Sequence, residues 1–147
     1  MRFARQAFKR PSIRRCVGAL VLAANALSAY ASAHTHALLR CDVSYAGTTH
    51  HVTARPVADP YGVESVDIGG RFFFKPVVVG RGSRVDYILL YAYLDQEPRP
   101  VMVQEAKYLP PFRVGKTPYL LTGEQHVYAG PVERELIYSC WLSGVAR

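Results

Sequence analysis

The sequence predicts a single all-β domain, a small antiparallel sandwich or barrel of seven or eight strands behind a cleaved signal peptide. Three observations carry this. Most of the chain after residue 33 alternates apolar and polar residues with period two, rich in aromatic and β-branched types. Gly/Pro turns separate these runs at short intervals. Two cysteines, Cys41 and Cys140, lie 99 positions apart in the first and last of the runs, so a bond between them would enclose nearly everything else.

Residues 1–33 are set aside as a signal peptide. Arg2, Arg5, Lys9, Arg10, Arg14 and Arg15 form a basic segment without an acid, and Cys16–Leu27 is an apolar run of 12 residues. A membrane-spanning helix needs about 20 apolar residues, so this run is too short to serve as an anchor. Ala29-Tyr30-Ala31 and Ala31-Ser32-Ala33 are two small-x-small cleavage sites. The expected location is therefore periplasmic or secreted, with no stable membrane anchor after cleavage.

Removing this segment changes the charge argument. The whole chain has 18 basic and 11 acidic residues, a formal net charge of +7. Six of the basic residues are in the signal, which leaves 12 against 11. No basic stripe remains to argue for nucleic acid. Cys16 leaves with the signal, and an even pair in an exported chain reads as a Cys41–Cys140 disulfide.

The elements follow in order. Ala37–Tyr45 and Thr48–Ala54 alternate around Ala46-Gly47, which predicts a hairpin. Pro56–Tyr61 reads as a loop, since Pro56 and Pro60 cannot donate to a ladder. Val63–Ile68 is strand-like and ends at Gly69-Gly70. Arg71–Lys75 and Val77–Val79 flank Pro76, which predicts one bent strand or two short ones near an edge. Val85–Leu94 is the strongest strand: Val85, Tyr87, Leu89, Tyr91 and Tyr93 share one face, and Ile88, Leu90, Ala92 and Leu94 the other. With both faces apolar, it is expected to be central and covered on each side. Glu97–Pro100 is a turn and Val101–Tyr108 the partner strand. Leu109–Pro118 is a Pro-rich connection and the candidate functional loop. Tyr119–Leu121 and His126–Tyr128 are short strands around Thr122-Gly123. Glu133–Leu142 is the final strand, with Leu136, Tyr138, Cys140 and Leu142 on one face.

Candidate chemistry is sparse, and an enzyme is not expected. Ser44, Ser65, Ser83 and Ser139 lack a nucleophile-elbow setting, and a disulfide would leave no free thiol. Asp95/Glu97 and Glu133/Glu135 are spaced like ordinary solvated pairs. There is no phosphate loop or dinucleotide fingerprint, and no cofactor is expected. Histidine offers one pattern: cleavage after Ala33 leaves His34-Thr35-His36 at the new N-terminus, and cleavage after Ala31 leaves Ser32-Ala33-His34. Either puts an imidazole third, where it joins the amine and two backbone nitrogens in the square-planar site that Cu(II) or Ni(II) favours. His34 and His36 are thus candidate metal ligands, against the alternative of a tail that binds nothing. His50, His51 and His126 read as surface residues. Tyr87, Tyr91 and Tyr93 read as half-buried packing with hydroxyls at the edge, or as a platform for a sugar or a partner.

Two resemblances follow from short segments. Asp59-Pro60-Tyr61, Asp67–Lys75 and Leu121-Thr122-Gly123 resemble small exported proteins of Gram-negative bacteria without an assigned function. This likeness covers most of the chain after the signal and implies no activity. Leu39-Arg40-Cys41-Asp42 and Ser139-Cys140-Trp141-Leu142 resemble the periplasmic inhibitors of C-type lysozyme. That resemblance implies a compact β-barrel with a disulfide between first and last strands. Their inhibitory Ser-Gly-x-x-Tyr segment and Lys-Gly-rich turn have no match, Val114-Gly115-Lys116 being the nearest stretch. The expected function is a non-catalytic binding or envelope-associated domain whose partner is a protein or envelope ligand. The alternatives are copper binding at the N-terminal histidines and a lysozyme-inhibitor-like role.

Overall fold

A computed structural model describes residues 36–130 and 134–147. The expected signal peptide, His34 and Glu133 lie outside these residues. The described chain is all-β: β1 Leu38–Tyr45, β2 Thr48–Ala54, β3 Pro56–Val57, β4 Val66–Ile68, β5 Phe72–Arg81, β6 Arg84–Leu94, β7 Val101–Tyr108, β8 Tyr119–Leu120, β9 Gln125–Ala129 and β10 Arg134–Ser143. They form two sheets. The first runs β2-β1-β10, with β8 and β9 paired in turn along the far side of β10. The second runs β3-β5-β6-β7, with β4 also on β5. Neither sheet closes into a barrel; they share one core instead.

Alternation builds that core. Leu39, Cys41 and Val43 from β1 and Leu136, Tyr138, Cys140 and Leu142 from β10 face Ile68, Phe72, Phe74, Ile88 and Leu90 of the second sheet. Phe74 and Tyr138 meet with ring centroids 5.0 Å apart, and Tyr45 meets Phe72 edge-on at 5.3 Å. The buried Tyr138 hydroxyl donates to Gln104 Oε1 at 2.9 Å, which satisfies it across the two sheets. Its burial pushes the phenol far up, with the nearby Tyr108 adding to the shift.

Cys41 and Cys140 are opposite each other in the β1–β10 register, with Cα atoms 4.0 Å apart, and are disulfide-bonded. The Cys140 N–H donates to Thr122 Oγ1 and its carbonyl accepts from Leu121 N–H. Its backbone therefore points away from β1, which makes the cysteines a non-hydrogen-bonded pair, the closer of the two antiparallel pairings. The bond ties the first described strand to the last within the core, where both cysteines are fully buried.

The hairpin β1–β2 forms as expected, with Ala46 and Gly47 both at positive φ (49° and 81°), the geometry a two-residue turn requires. The expectation for Pro76 is corrected in one respect. β5 is a single strand running through Pro76, and it lies inside the sheet with β6 on one side and β3 and β4 on the other. The Arg71 carbonyl accepts from Asp95 N–H, so alternation directs odd positions of β5 toward β6 and Pro76 away from it. On that side β4 pairs with Phe72–Phe74 and β3 with Val78–Val79. Pro76 falls in the gap between them, where no neighbour calls for an N–H.

The expectation that β6 is covered on both faces is overturned. It is central in its sheet, between β5 and β7, but over Tyr87–Leu94 only Ile88, Leu90 and Ala92 are buried against the other sheet. Tyr87, Leu89, Tyr91 and Tyr93 are half-buried on the outer face. Val85 also departs from the expected alternation. The register with β5 shifts between Val79 and Gly80, where Tyr87 pairs with Val79 but Val85 with Gly80. The extra residue, Asp86, reverses the phase and turns Val85 into the core.

Candidate functional site: an aromatic groove on the outer sheet face

The outer face of β5-β6-β7 follows directly from the registers. Phe73, Tyr93 and Met102 form one row across the three strands. Lys75, Tyr91 and Glu105 form the next, and Val77, Leu89 and Lys107 the third. Val79 and Tyr87 complete the grid. Successive rows lie two residues apart along the strand, roughly 6.6 Å. Tyr91 therefore stands between a cation and an anion on its two flanks, above a floor that includes the buried Val77.

Two adjoining depressions open on this face. One, of about 310 Å³, is lined by Val77, Tyr87, Leu89 and Tyr91, with Pro60 and Tyr61 on its rim. The other, of about 620 Å³, is lined by Val63, Glu64, Ser65, Phe73 and Pro100. Lys75 and Tyr93 border both, so the two adjoin. The 58–65 segment reaches this face because β3 pairs in parallel with β5 at Val78–Val79 and delivers the chain beside the outer surface. Tyr61 is 92% exposed, a large apolar ring held over open solvent. The Asp59 side chain accepts from the Tyr61 N–H at 2.9 Å and fixes that turn.

The rings are organised among themselves. Tyr91 and Tyr93 stack with centroids 6.1 Å apart, and Lys107 Nζ sits 5.0 Å from the Tyr87 ring centre. Burial pushes the Tyr91 phenol up, and the charge of Glu105 and the neighbouring Tyr93, Tyr87 and Tyr61 add to it. Tyr91 therefore keeps its proton and acts as a hydroxyl donor and acceptor. Chemically, the face offers flat rings for stacking, hydroxyls for hydrogen bonding and two cations set beside two carboxylates.

The other sequence-level candidates fall elsewhere. Leu109–Pro118 does not line these depressions. It crosses to the first sheet, where Gly115 N–H donates to the Val145 carbonyl and Gly144 N–H to the Gly115 carbonyl. Phe112 packs against the core, so this connection docks at the end of β10. Val114-Gly115-Lys116 lies within it. His36 is exposed just before β1, and its proposed companion His34 lies outside the described residues. Among the described residues, no three metal-ligating side chains converge. His51 Nδ1 pairs with Asp42 at 2.7 Å, on the outer face of the first sheet.

His126 is more than a lone surface histidine. Its Nδ1 is 2.5 Å from Glu135 Oε1 and its Nε2 3.1 Å from Glu124 Oε1. Hydrogen bonding to Glu135 and then Glu124 raises the imidazole above its ordinary range. Glu135 is held below the usual carboxylate range, first by the Tyr128 hydroxyl and then by His126. Both ring nitrogens are committed to carboxylates, which describes a charged surface clasp between β9 and β10.

Sequence reasoning found the tyrosine row but missed its partners Tyr61, Lys75, Glu105 and Lys107. Their grouping depends on strand register and on the parallel docking of β3, neither of which has a local sequence signal. Comparison with protein-family models, with curated proteins and with solved structures found no match to this chain.

Proposed function

We propose that the chain is an exported, non-catalytic binding domain that uses the outer face of β5-β6-β7 to hold a ligand of the bacterial envelope. The observation that carries this reading is the aromatic row Tyr87-Tyr91-Tyr93, left half-open on a central strand. Burying such a row under a second layer would be the ordinary use of apolar rings. Here the rings instead border a depression with Tyr61 at its rim. A concave surface with aromatic walls and a few convergent polar groups is the usual form of a binding site. The export half of the proposal rests on the basic and apolar segments of residues 1–33. The Cys41–Cys140 disulfide supports it, because such bonds persist in oxidising compartments.

The test is retention. The protein, produced with its own leader, is passed over immobilised envelope fractions: sacculi, outer-membrane lipid and soluble periplasm. The same is done with a Tyr87→Ala/Tyr91→Ala variant whose melting behaviour is checked first. The expected result is retention of the natural chain by one fraction and its loss in the variant. Equal retention of both, or retention of neither, would contradict the reading.

A further inference from the structure

We propose that the ligand of the tyrosine face is a neutral, extended oligosaccharide chain, stacked along Tyr93, Tyr91 and Tyr87. This rests on the reading of that face as a binding surface and goes beyond it by naming the ligand class.

Charge is the first argument. Lys75 and Glu64 line the depressions, and Glu105 and Lys107 follow on β7 opposite Tyr91 and Leu89, so the face carries two charges of each sign. The balance gives a strongly anionic or cationic ligand no net attraction. A neutral ligand rich in hydroxyls finds donors in the lysines and acceptors in the carboxylates.

Geometry is the second. Tyr93 to Tyr87 spans six residues of extended strand, about 20 Å, in a nearly straight line. A linear chain of several sugar rings fits that length, whereas a single compact metabolite does not use it. Each ring in such a chain has a flat C–H face that can rest against the aromatic row where Tyr91 and Tyr93 are not covered by each other, nor Tyr87 by Lys107, and an equatorial rim of hydroxyls that reaches the polar flanks.

Backbone satisfaction is the third argument, and it separates a glycan from a peptide. A peptide strand binds a sheet by pairing with free edge N–H and C=O groups. Here the tyrosines stand on a sheet face: β6 is bonded to β5 and β7 on either side, so a peptide strand could pair with this sheet only along β7, beside the tyrosine row and not over it. A lipid chain would call for an unbroken apolar trough, and Lys75, Glu105 and the phenol hydroxyls interrupt this one. A glycan needs neither edge nor trough.

The experiment is an NMR titration of the disulfide-bonded protein with chitotetraose and, separately, cellotetraose at millimolar concentration. A third arm uses an uncharged Ser/Thr/Ala octapeptide. The expected result is saturable shifts from at least one sugar, centred on the amides of Tyr87, Leu89, Tyr91 and Tyr93. Tyr91→Ala should weaken that binding about tenfold through the lost ring, and Tyr91→Phe should largely preserve it. No shift from either sugar, shifts centred elsewhere, or shifts from the peptide alone would overturn the proposal. If envelope fractions still retain the protein through its tyrosines in those cases, the sugar class falls and the binding face stands. If they do not, both fall.

Discussion

Leu89 and Leu90 are neighbours in β6 whose side chains point to opposite faces of one sheet, so truncating each in turn measures what covers each face. Leu90 is 1% exposed and belongs to the shared core. Leu90→Ala removes buried methyl groups and leaves a cavity that close-packed neighbours only partly fill, costing about 2–5 kcal/mol. For a domain of this size that lowers the melting temperature by roughly 10–20 °C. Leu89 pairs with Val77 and Lys107 on the outer face and is only half-buried. At about 25 cal/mol per Å² of apolar area, Leu89→Ala costs about 1 kcal/mol, since much of its surface already meets water. Urea unfolding with the disulfide intact reads both losses at an unchanged slope. The ratio matters more than either value. Equal losses, or a larger one for Leu89, would mean that a second layer covers the tyrosine face, and the binding surface would disappear with it.

Three further outcomes follow. Mass spectrometry of the non-reduced protein should recover a Cys41–Cys140 cross-link. Cys41→Ala/Cys140→Ala should cost up to about 4–5 kcal/mol on the chain-entropy account; two alkylatable thiols in fresh material would contradict it. Tyr138→Phe strands the Gln104 amide oxygen that its hydroxyl now satisfies and should cost about 1–2 kcal/mol in urea unfolding, with no change in the tyrosine face. The His126 clasp makes stability depend on pH in two windows. Its raised imidazole contributes stability that is full below the ordinary histidine range and is lost as pH rises through the raised value. The lowered Glu135 contributes stability that is full above the ordinary carboxylate range and is lost as pH falls. Glu135→Gln should lower the His126 midpoint in an NMR titration; an unmoved midpoint would rule out the pairing.

What the sequence disclosed and what it concealed divide along physical lines. Period two is a local property, so β1, β2, β7 and the inward set Leu136, Tyr138, Cys140 and Leu142 of β10 were legible residue by residue. The disulfide was legible because only two cysteines remain once Cys16 is set aside. The covering of β6 was not legible. An apolar face reads alike whether a second sheet or only solvent lies over it, and Tyr87, Leu89, Tyr91 and Tyr93 are apolar enough for either. Register was equally hidden: the extra residue at Asp86 turns Val85 inward, and one at Val103, opposite Ala92 and Tyr93, does the same kind of work in β7. Lys75 and Glu105 are 30 positions apart and become the two flanks of Tyr91 only once both registers are set. Pro76 looked like a sign of an edge because the gap between β4 and β3 is a tertiary feature. The Pro60-Tyr61 turn read as a plain loop for the same reason, since its value lies in where the β3 pairing delivers it.

The most direct test of the central claim compares tyrosine reactivity in intact envelopes with that of the purified protein. Tyr61, at the rim of the groove, is 92% exposed, and Tyr128, on β9 in the other sheet, is 66% exposed. Both should react with a phenol-modifying reagent when the protein is pure, Tyr128 more slowly because its hydroxyl is held by Glu135. If the outer face of β5-β6-β7 holds an envelope ligand, Tyr61 and Tyr91 become protected in intact envelopes while Tyr128 reacts as before, and peptide mapping by mass spectrometry reads the ratio. Unchanged reactivity at Tyr61 and Tyr91, or protection confined to Tyr128, would contradict the account.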